Sequence, residues 1–495
     1  MAIADKSNNM DTKANVIVDG ILRYPRTGLD IIIIGAGLGG MMAAIECWRK
    51  GHEVQIIEKE SGLLATGDIV AIGPSAWANL QKYPSMLEEW SRISVDAQTA
   101  YFNLDGKPSA EPFEFEYNRP GVAQHAAYPL KVRTVLARPQ LAQMLYHQCE
   151  RLSIPISWDI SIVAYEEDVA SSVGIAVAAD GHRFKADIVV AADGIGSKSH
   201  MVVLGEPIRA MSTGYTCYRM TIPTENIELI PSLRKVLEEQ KRSQLRIYKG
   251  HNLHVVLVLS KTVTALAITR EEEDAGSAVE SWASTVPSER VLAGIPGVET
   301  WDTLITDTIQ GAAENSIVRW KLAMRNPQTK WTSAAGHIIQ VGDSAHSFVP
   351  TSANGACMAL EDGASLAECL RRGGKKGAAI AAKVHELLRY QRVTLVQRTG
   401  FTNRRELHTA TGELSKHALD LLRQGKWMWT HNSEAYAAEN FDKARSHLES
   451  STPFQNTNLP VGHQYEDWTL EEEVEKEKLG IVVPDLKLNG DWSVV

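Results

Sequence analysis

The stretch Leu29–Glu58, LDIIIIGAGLGGMMAAIECWRKGHEVQIIE, leaves this chain very few folds. Ile31–Ile34 is an unbroken β-branched run between Asp30 and a glycine-rich turn, the pattern of a strand buried on both faces. Gly35, Gly37 and Gly40 then stand in G-x-G-x-x-G spacing. Met41, Ala44, Ile45 and Trp48 recur at helical spacing, and Gly51 follows as a C-terminal stop. A second strand, Val54–Ile57, ends on Glu58, 23 residues after Gly35. A G-x-G-x-x-G by itself is often only a turn; strand before, helix after and an acid ending the next strand make it a dinucleotide fingerprint. Gly35 permits the tight turn, Gly37 lets backbone approach a pyrophosphate, and Gly40 lets helix and strand close up. The helix N-terminus offers free N–H groups to phosphate, and Glu58 accepts from ribose hydroxyls.

At 495 residues the chain is long enough for about two to four domains. With a net charge of −9 it has no basic excess for nucleic acid, and an acidic surface disfavours anionic membranes. Its five cysteines (47, 149, 217, 357 and 369) are scattered and odd in number, without metal-ligand spacing, which suits a reducing compartment. Met1–Thr27 lacks the apolar core of a signal peptide or anchor, and the longest apolar run, Ile31–Ile45, is short of a membrane span. The expectation is a soluble, cytoplasmic protein, monomer or homodimer, with no nucleic-acid or membrane partner and no metal.

Along the chain, Met1–Thr27 reads as a loosely ordered leader and Tyr101–Tyr128, rich in Pro, Asn, Glu and aromatics, as a hairpin excursion outside the core. Arg138 stands at the entry of a helix whose first turn holds Pro139 and whose stripe is Leu141, Met144 and Leu145. Ile154–Val163, Val173–Ala178 and Ile188–Ala192 read as strands. The last delivers Asp193-Gly194, a turn signal that becomes a ligand position at the C-terminal end of a buried strand. From Gly205 to Arg319, strand-like runs at Tyr215–Ile222, Leu245–Tyr248, His254–Ser260 and Thr264–Thr269 imply an inserted, mainly antiparallel sheet, with a helical pattern around Val279–Val286. The strand His337–Val341 then delivers Gly342 and Asp343, the loop at Pro350, and a helix led by Gly355–Ala356, again an anion or carbonyl-oxygen site. Lys383–Ala410 and Leu419–His447 are helical, and Thr452–Val495 is a polar, Glu-rich tail.

The expected fold class is α/β: a Rossmann-like dinucleotide-binding domain, an inserted, mainly antiparallel β-sheet domain and a helical C-terminal region. The expected division is a leader over 1–28, dinucleotide-binding parts over 29–204 and 320–400, the sheet insertion over 205–319, and a helical region with polar tail over 401–495.

Three separated motifs, GAGLGG with Glu58, AADGIGS (Ala191–Ser197) and GDSAHSFVP (Gly342–Pro350), stand together in order. In this the chain resembles the single-component FAD-dependent aromatic hydroxylases, the group of para-hydroxybenzoate and salicylate hydroxylases, and within it the fungal branch acting on aromatic or polyketide metabolites. The resemblance spans about Leu29–Arg398, and it implies that the dinucleotide-binding domain is an FAD-binding domain and the inserted sheet a substrate domain. It implies that Glu58 binds the adenosine ribose of FAD and that Arg138 contacts FAD. It further implies that Asp193 and Gly194 serve FAD and NAD(P)H, and that Asp343 holds the ribityl or pyrophosphate region. Pro350 would lie against the isoalloxazine, and Gly355–Ala356 would present N–H groups to its O2 edge. His346 is expected as a structural donor. The family motif ends in arginine where this chain has His200, the first glycine after Pro350 is replaced by Ala353, and Arg392 and Arg398 keep part of an arginine pattern.

The resemblance implies a monooxygenase in which NAD(P)H reduces FAD, O2 adds at flavin C4a, and the hydroperoxide hydroxylates, and in some members dearomatises, an electron-rich ring of a small organic substrate. Holding that substrate as phenolate calls for a cation or acidic hydroxyl from the inserted sheet. Arg219, in GYTCYRM, is the first candidate and Tyr248, in RIYKG, its partner. The alternatives for Arg219 and Tyr248 are a structural ion pair and cross-strand packing. Alternation puts Arg219 on the face of Tyr215 and Cys217, with Tyr218 opposite. Epoxidation of a terpenoid or polyene on the same flavin is the competing activity. A halogenase lacks its W-x-W-x-I-P signature here, and a non-enzymatic prenyl-binding relative would not need all three FAD motifs.

Overall fold

The structure, a computed structural model, describes residues 14–64, 69–222, 224–272, 284–314, 316–409, 423–479 and 486–495. Its centre is a five-stranded parallel sheet in the order Ile338–Gln340, Ile188–Ala191, Asp30–Ile34, Glu53–Ile57 and Ile156–Ser157. The isoleucine run alternates between two cores. Ile31 and Ile33 pack under the helices Leu38–Arg49 and Arg138–Arg151, while Ile32 and Ile34 face a three-stranded antiparallel sheet of Ile162–Asp168, Val173–Ala178 and Arg183–Ala186. A strand buried on both faces is what its composition requires. The helix Leu38–Arg49 packs against Gly355–Gly373 almost backbone to backbone: a Cβ on Gly363 would lie 2.8 Å from Ala43 N, and one on Gly39 3.2 Å from Ala359 Cβ. The two glycine-led helices therefore start side by side.

The second large unit is a seven-stranded sheet in the order Thr285–Val286, Ile317–Met324, Met211–Ile222, Thr264–Glu271, Leu253–Leu259, Ser243–Gly250 and Ala97–Asn103. It exceeds the 205–319 range expected for it. Ala97–Asn103 joins as a parallel edge strand, and Ile317–Met324 runs past residue 319. The excursion reading of Tyr101–Tyr128 is corrected accordingly: Tyr101–Asn103 belong to that strand, and Tyr117 and Ala127 are buried in the main core. One face of this sheet is covered by the helices Pro231–Glu239 and Thr303–Gln310, through Tyr218, Tyr248, Val255, Ile268, Leu233 and Ile305.

Residues 1–13 of the leader lie outside the described residues, and from residue 14 on it is more ordered than expected. Val16–Val18 and Ile21–Arg23 form a hairpin that buries Ile21 in the main core. The tail is anchored by buried Trp468, Leu470 and Leu486. In place of one helix over Leu419–His447 there are Lys426–Trp429 and Ser433–Ser450, the second capped by Asn432, which accepts from Ala435 N at 3.0 Å. Residues 419–422 and 279–283 lie outside the described residues, and Thr285–Val286 is a strand rather than helix. Behind the cofactor-side helices, Arg389 and Arg392 of the long helix Ala378–Thr409 are fully buried against Glu361 and Asp362. Among the described residues no helix is long and apolar enough to cross a membrane.

Candidate functional site

The glycine turn is dictated by close approaches. Gly35 (φ +107°) donates its N–H to Ile57 O at 2.8 Å, and a Cβ there would lie 2.4 Å from Ala192 O. A Cβ on Gly40 would meet Gly35 O at 2.0 Å. Gly37 is different: a Cβ there would meet no protein atom within 4 Å. No protein neighbour excludes a side chain at Gly37, and the space it leaves lies over the first turn of a helix whose N–H groups lack intrahelical partners. A pyrophosphate fits that combination. Glu58 is fastened to the same turn, accepting from Ala36 N at 2.6 Å through Oε2 and from Glu60 N at 3.0 Å through Oε1.

The two aspartate loops, 150 residues apart in sequence, meet beside this turn. Ser344 Oγ donates to Asp193 Oδ1 at 3.1 Å and accepts from Gly194 N at 2.9 Å, while Tyr165 donates to Asp193 Oδ2 at 2.7 Å. Asp343 keeps open surface although protein surrounds its carboxyl closely. Burial pushes its carboxyl above the usual carboxylate range, and the charges of His346, Arg325 and Arg138 pull against that shift. Arg138 thus lies within electrostatic reach of Asp343. Asp362, completely buried, holds the loop from behind, accepting from Gly342 N at 3.0 Å and Arg389 Nε at 2.9 Å and lying 2.7 Å from His346 Nε2. His346 is therefore bound to a structural carboxylate.

Past this loop, Pro350–Ser352 forms one 3-10 turn and the helix Gly355–Gly373 begins with Gly355 and Ala356. Between them Ala353 adopts a left-handed conformation, φ +53°. This is the position where glycine was expected, and the strain is real. A left-handed non-glycine residue costs roughly 1–2 kcal/mol, and glycine adds about 0.4–1 kcal/mol of unfolded-state freedom. Ala353→Gly is expected to stabilise the chain by about 0.5–1 kcal/mol. A higher denaturant midpoint at unchanged slope is the expected reading, and a lower midpoint would contradict it.

On the large sheet the structure separates the two residues expected to work together. Register runs Arg219↔Ala267↔Val256↔Ile247 and, one row along, Tyr218↔Ile268↔Val255↔Tyr248. Side chains alternate between faces, so Tyr248 shares the face of Tyr218 and is opposite Arg219. Its phenol donates to Asp302 Oδ2 at 2.8 Å, its ring stacks on Phe102 at 5.3 Å, and burial together with Asp302 holds its pKa well above the ordinary phenol value. Tyr248 is a packing residue that supports the Asp302 cap of Thr303–Gln310 and not a partner of Arg219. Tyr248→Phe is expected to cost about 1–2 kcal/mol of stability and to leave catalytic turnover unchanged; a thermal shift with unaltered kcat checks this.

Arg219 is half-buried, its guanidinium carbon 4.7 Å from the centre of the Trp320 ring. Its face of the sheet packs, through Ala265 and Val258, on Ala137 and Val135 of the strand Val135–Ala137 that leads straight into Arg138. The cation therefore lies on the side of the sheet turned to the cofactor segments. The same face carries Cys217, Thr269 and His254, and His254 Nδ1 lies 2.8 Å from His408 Nε2 of the long helix. Burial holds both imidazoles neutral, with pKa values of about 4 and about 2, so one donates to the other. Trp320, His254, His408 and Arg325 were not anticipated. Only strand pairing and helix docking bring them to this face or to the aspartate loops.

Comparison with known proteins agrees with this geometry. Two families described as FAD binding domain match residues 30–101 and 100–379. The chain is 37% identical over 481 residues to the FAD-dependent monooxygenase fsr3 of Gibberella fujikuroi, covering 96% of this chain and 91% of that one. It is 35% identical over 492 residues to dmxR9 of Cryptosporiopsis sp., also an FAD-dependent monooxygenase, with 98% and 94% covered. Among solved structures, CtdE in complex with FAD and a substrate superposes with a TM-score of 0.75 at 24% identity, over 85% of this chain and 100% of its own. A salicylate hydroxylase substrate complex gives 0.63 at 18% identity, over 83% and 98%. At these identities the solved structures show a shared fold.

Proposed function

This chain belongs to the FAD-dependent monooxygenases found in fungal secondary metabolism, and from that premise we propose that it uses NAD(P)H and O2 to hydroxylate, or dearomatise, an aromatic or polyketide-type small molecule. The observation that carries the reading is the placement of Arg219 beside Trp320 on the sheet face turned toward Arg138.

Bound FAD, reduced by NAD(P)H, supplies the oxygen-activating chemistry that no side chain possesses. In this reading the Gly35–Gly40 turn and its helix take the pyrophosphate, Glu58 the adenosine ribose, and Arg138 and Asp343 the middle of the dinucleotide. Asp193 and Gly194 shape the loop beside Asp343, and Pro350 packs against the ring. Gly355 and Ala356 offer helix N-terminal N–H groups to the carbonyl edge, where partial positive charge favours developing negative charge.

Arg219 acts on the substrate. A guanidinium within hydrogen-bond reach of a phenol favours its ionised form by about 1–3 pKa units, which raises electron density at the ring carbons to be oxygenated. Trp320 holds the guanidinium in plane by stacking and keeps water off one side of it. An apolar alkene offers nothing for that cation to bind, so the geometry favours a hydroxylated ring over a terpenoid or polyene. The test is NAD(P)H consumption stimulated by members of a panel of phenolic polyketides, indoles and terpenoids, with products read by mass spectrometry. Stimulation by phenols supports the reading, and stimulation confined to unfunctionalised alkenes contradicts it.

A further inference from the structure

We propose that Arg325 is a positioning residue for the cofactor: its guanidinium locks the Asp193–His200 loop to the Gly342–His346 loop, with His200 serving as its neutral acceptor. The proposal rests on the FAD reading above.

Arg325 immediately follows the strand Ile317–Met324, the strand that carries Trp320, and is 3% exposed. Its own N–H donates to Ser347 Oγ at 2.9 Å. Nη2 donates to Ile195 O at 2.8 Å and to Asp343 O at 2.8 Å, one carbonyl from each loop. Nη1 reaches Ser344 O at 3.4 Å and makes a close contact with His200 Nε2. One planar fork therefore spans two segments about 150 residues apart in sequence, and only an arginine presents donors at that spread.

The role of His200 follows from proton counting. Its Nδ1 lies 2.9 Å from Ser197 O, which can only accept, so the ring proton is on Nδ1. Burial and the neighbouring Arg325 charge keep the ring neutral, leaving a lone pair on Nε2 for Arg325 to donate into. Ser344 O, 3.1 Å from Nε2, receives its N–H from Arg325 instead. A cation at position 200 would face a second cation across one hydrogen bond. Asp193, Gly194 and Asp343 therefore inherit their relative positions from a residue outside both motifs, on the strand that also carries Trp320.

The experiment compares full-length wild type with Arg325→Lys, Arg325→Met, His200→Arg and the His200→Arg/Arg325→Met double variant. The readouts are FAD dissociation constant by flavin fluorescence quenching, the visible spectrum of the bound flavin, and far-ultraviolet circular dichroism. Arg325→Lys, which keeps charge and stem but loses the fork, is expected to stay folded, bind FAD at least tenfold more weakly and lose the resolved shape of the bound-flavin band. Arg325→Met should be weaker still. His200→Arg should weaken FAD binding, and removing the Arg325 charge from that background should cost less than removing it from wild type. A folded Arg325→Lys variant with wild-type affinity and spectrum overturns the proposal, and so does additivity of the two substitutions. Should Arg325→Met fail to fold, Arg325→Lys and the His200→Arg background decide. A wild-type chain that takes up no FAD defeats the cofactor reading and this proposal with it; wild-type uptake matched by Arg325→Lys defeats the proposal alone.

Discussion

Gly37→Ala is expected to give a chain as stable as wild type that binds FAD at least a hundredfold more weakly, while Gly40→Ala loses FAD and stability together. The contrast comes from what each added methyl would meet. At Gly37 no protein atom lies within 4 Å, so the apoprotein accommodates the methyl, and only a group seated over the helix N-terminus is displaced. At Gly40 the methyl would lie 2.0 Å from Gly35 O. Close-packed interiors do not absorb such an overlap, so the turn and helix must separate, at about 1–3 kcal/mol and with loss of the phosphate-facing geometry. FAD titration beside denaturant unfolding of the apo forms reads both quantities. Equal FAD affinity for Gly37→Ala and wild type would remove the pyrophosphate from this turn.

Arg219→Ala is expected to leave FAD affinity unchanged and to lower kcat/KM for hydroxylation by about 10²–10³-fold, the range for deleting one preorganised electrostatic donor. Retained folding is expected, because Arg219 is half-buried and its stacking partner Trp320 belongs to the neighbouring strand. Arg219→Lys should recover only part of the rate, since an ammonium keeps the charge and loses the planar stack. The variant should also oxidise NAD(P)H with little product formed. Near wild-type product formation by Arg219→Ala would take the residue out of the reaction.

What local sequence could and could not reveal follows from the range of the interactions. The strand–turn–helix at Asp30–Arg49 was readable because each of its constraints acts within a few residues: β-branched runs, glycine close approach, helical spacing. The same holds for Asp193-Gly194 and for Gly355 at the head of its helix. Alternation along one strand correctly set Arg219 against Tyr218, whose opposite placement the register shows. It said nothing about the strand three places away, where a shift of one residue exchanges faces. Tyr248 was lost that way. Ala97–Asn103 was missed for a related reason, since its partner Ser243–Gly250 is remote in sequence and its polar Gln98, Thr99 and Asn103 disguise an edge strand. The leader and tail are held by a few anchors, Ile21 at one end and Trp468, Leu470 and Leu486 at the other, too sparse to set a period. Arg325 belongs to no motif, and its function is visible only once both loops stand in space.

The most direct test of the account is the fate of O2. The FAD-loaded chain would be supplied with NADPH under 18O2 and offered phenolic polyketides and terpenoid alkenes in parallel, with products read by mass spectrometry. The account predicts one labelled oxygen on a ring carbon of a phenolic product, and loss of that label in Arg219→Ala while FAD stays bound. Label delivered as an epoxide on an alkene, at equal rate in wild type and Arg219→Ala, would contradict it.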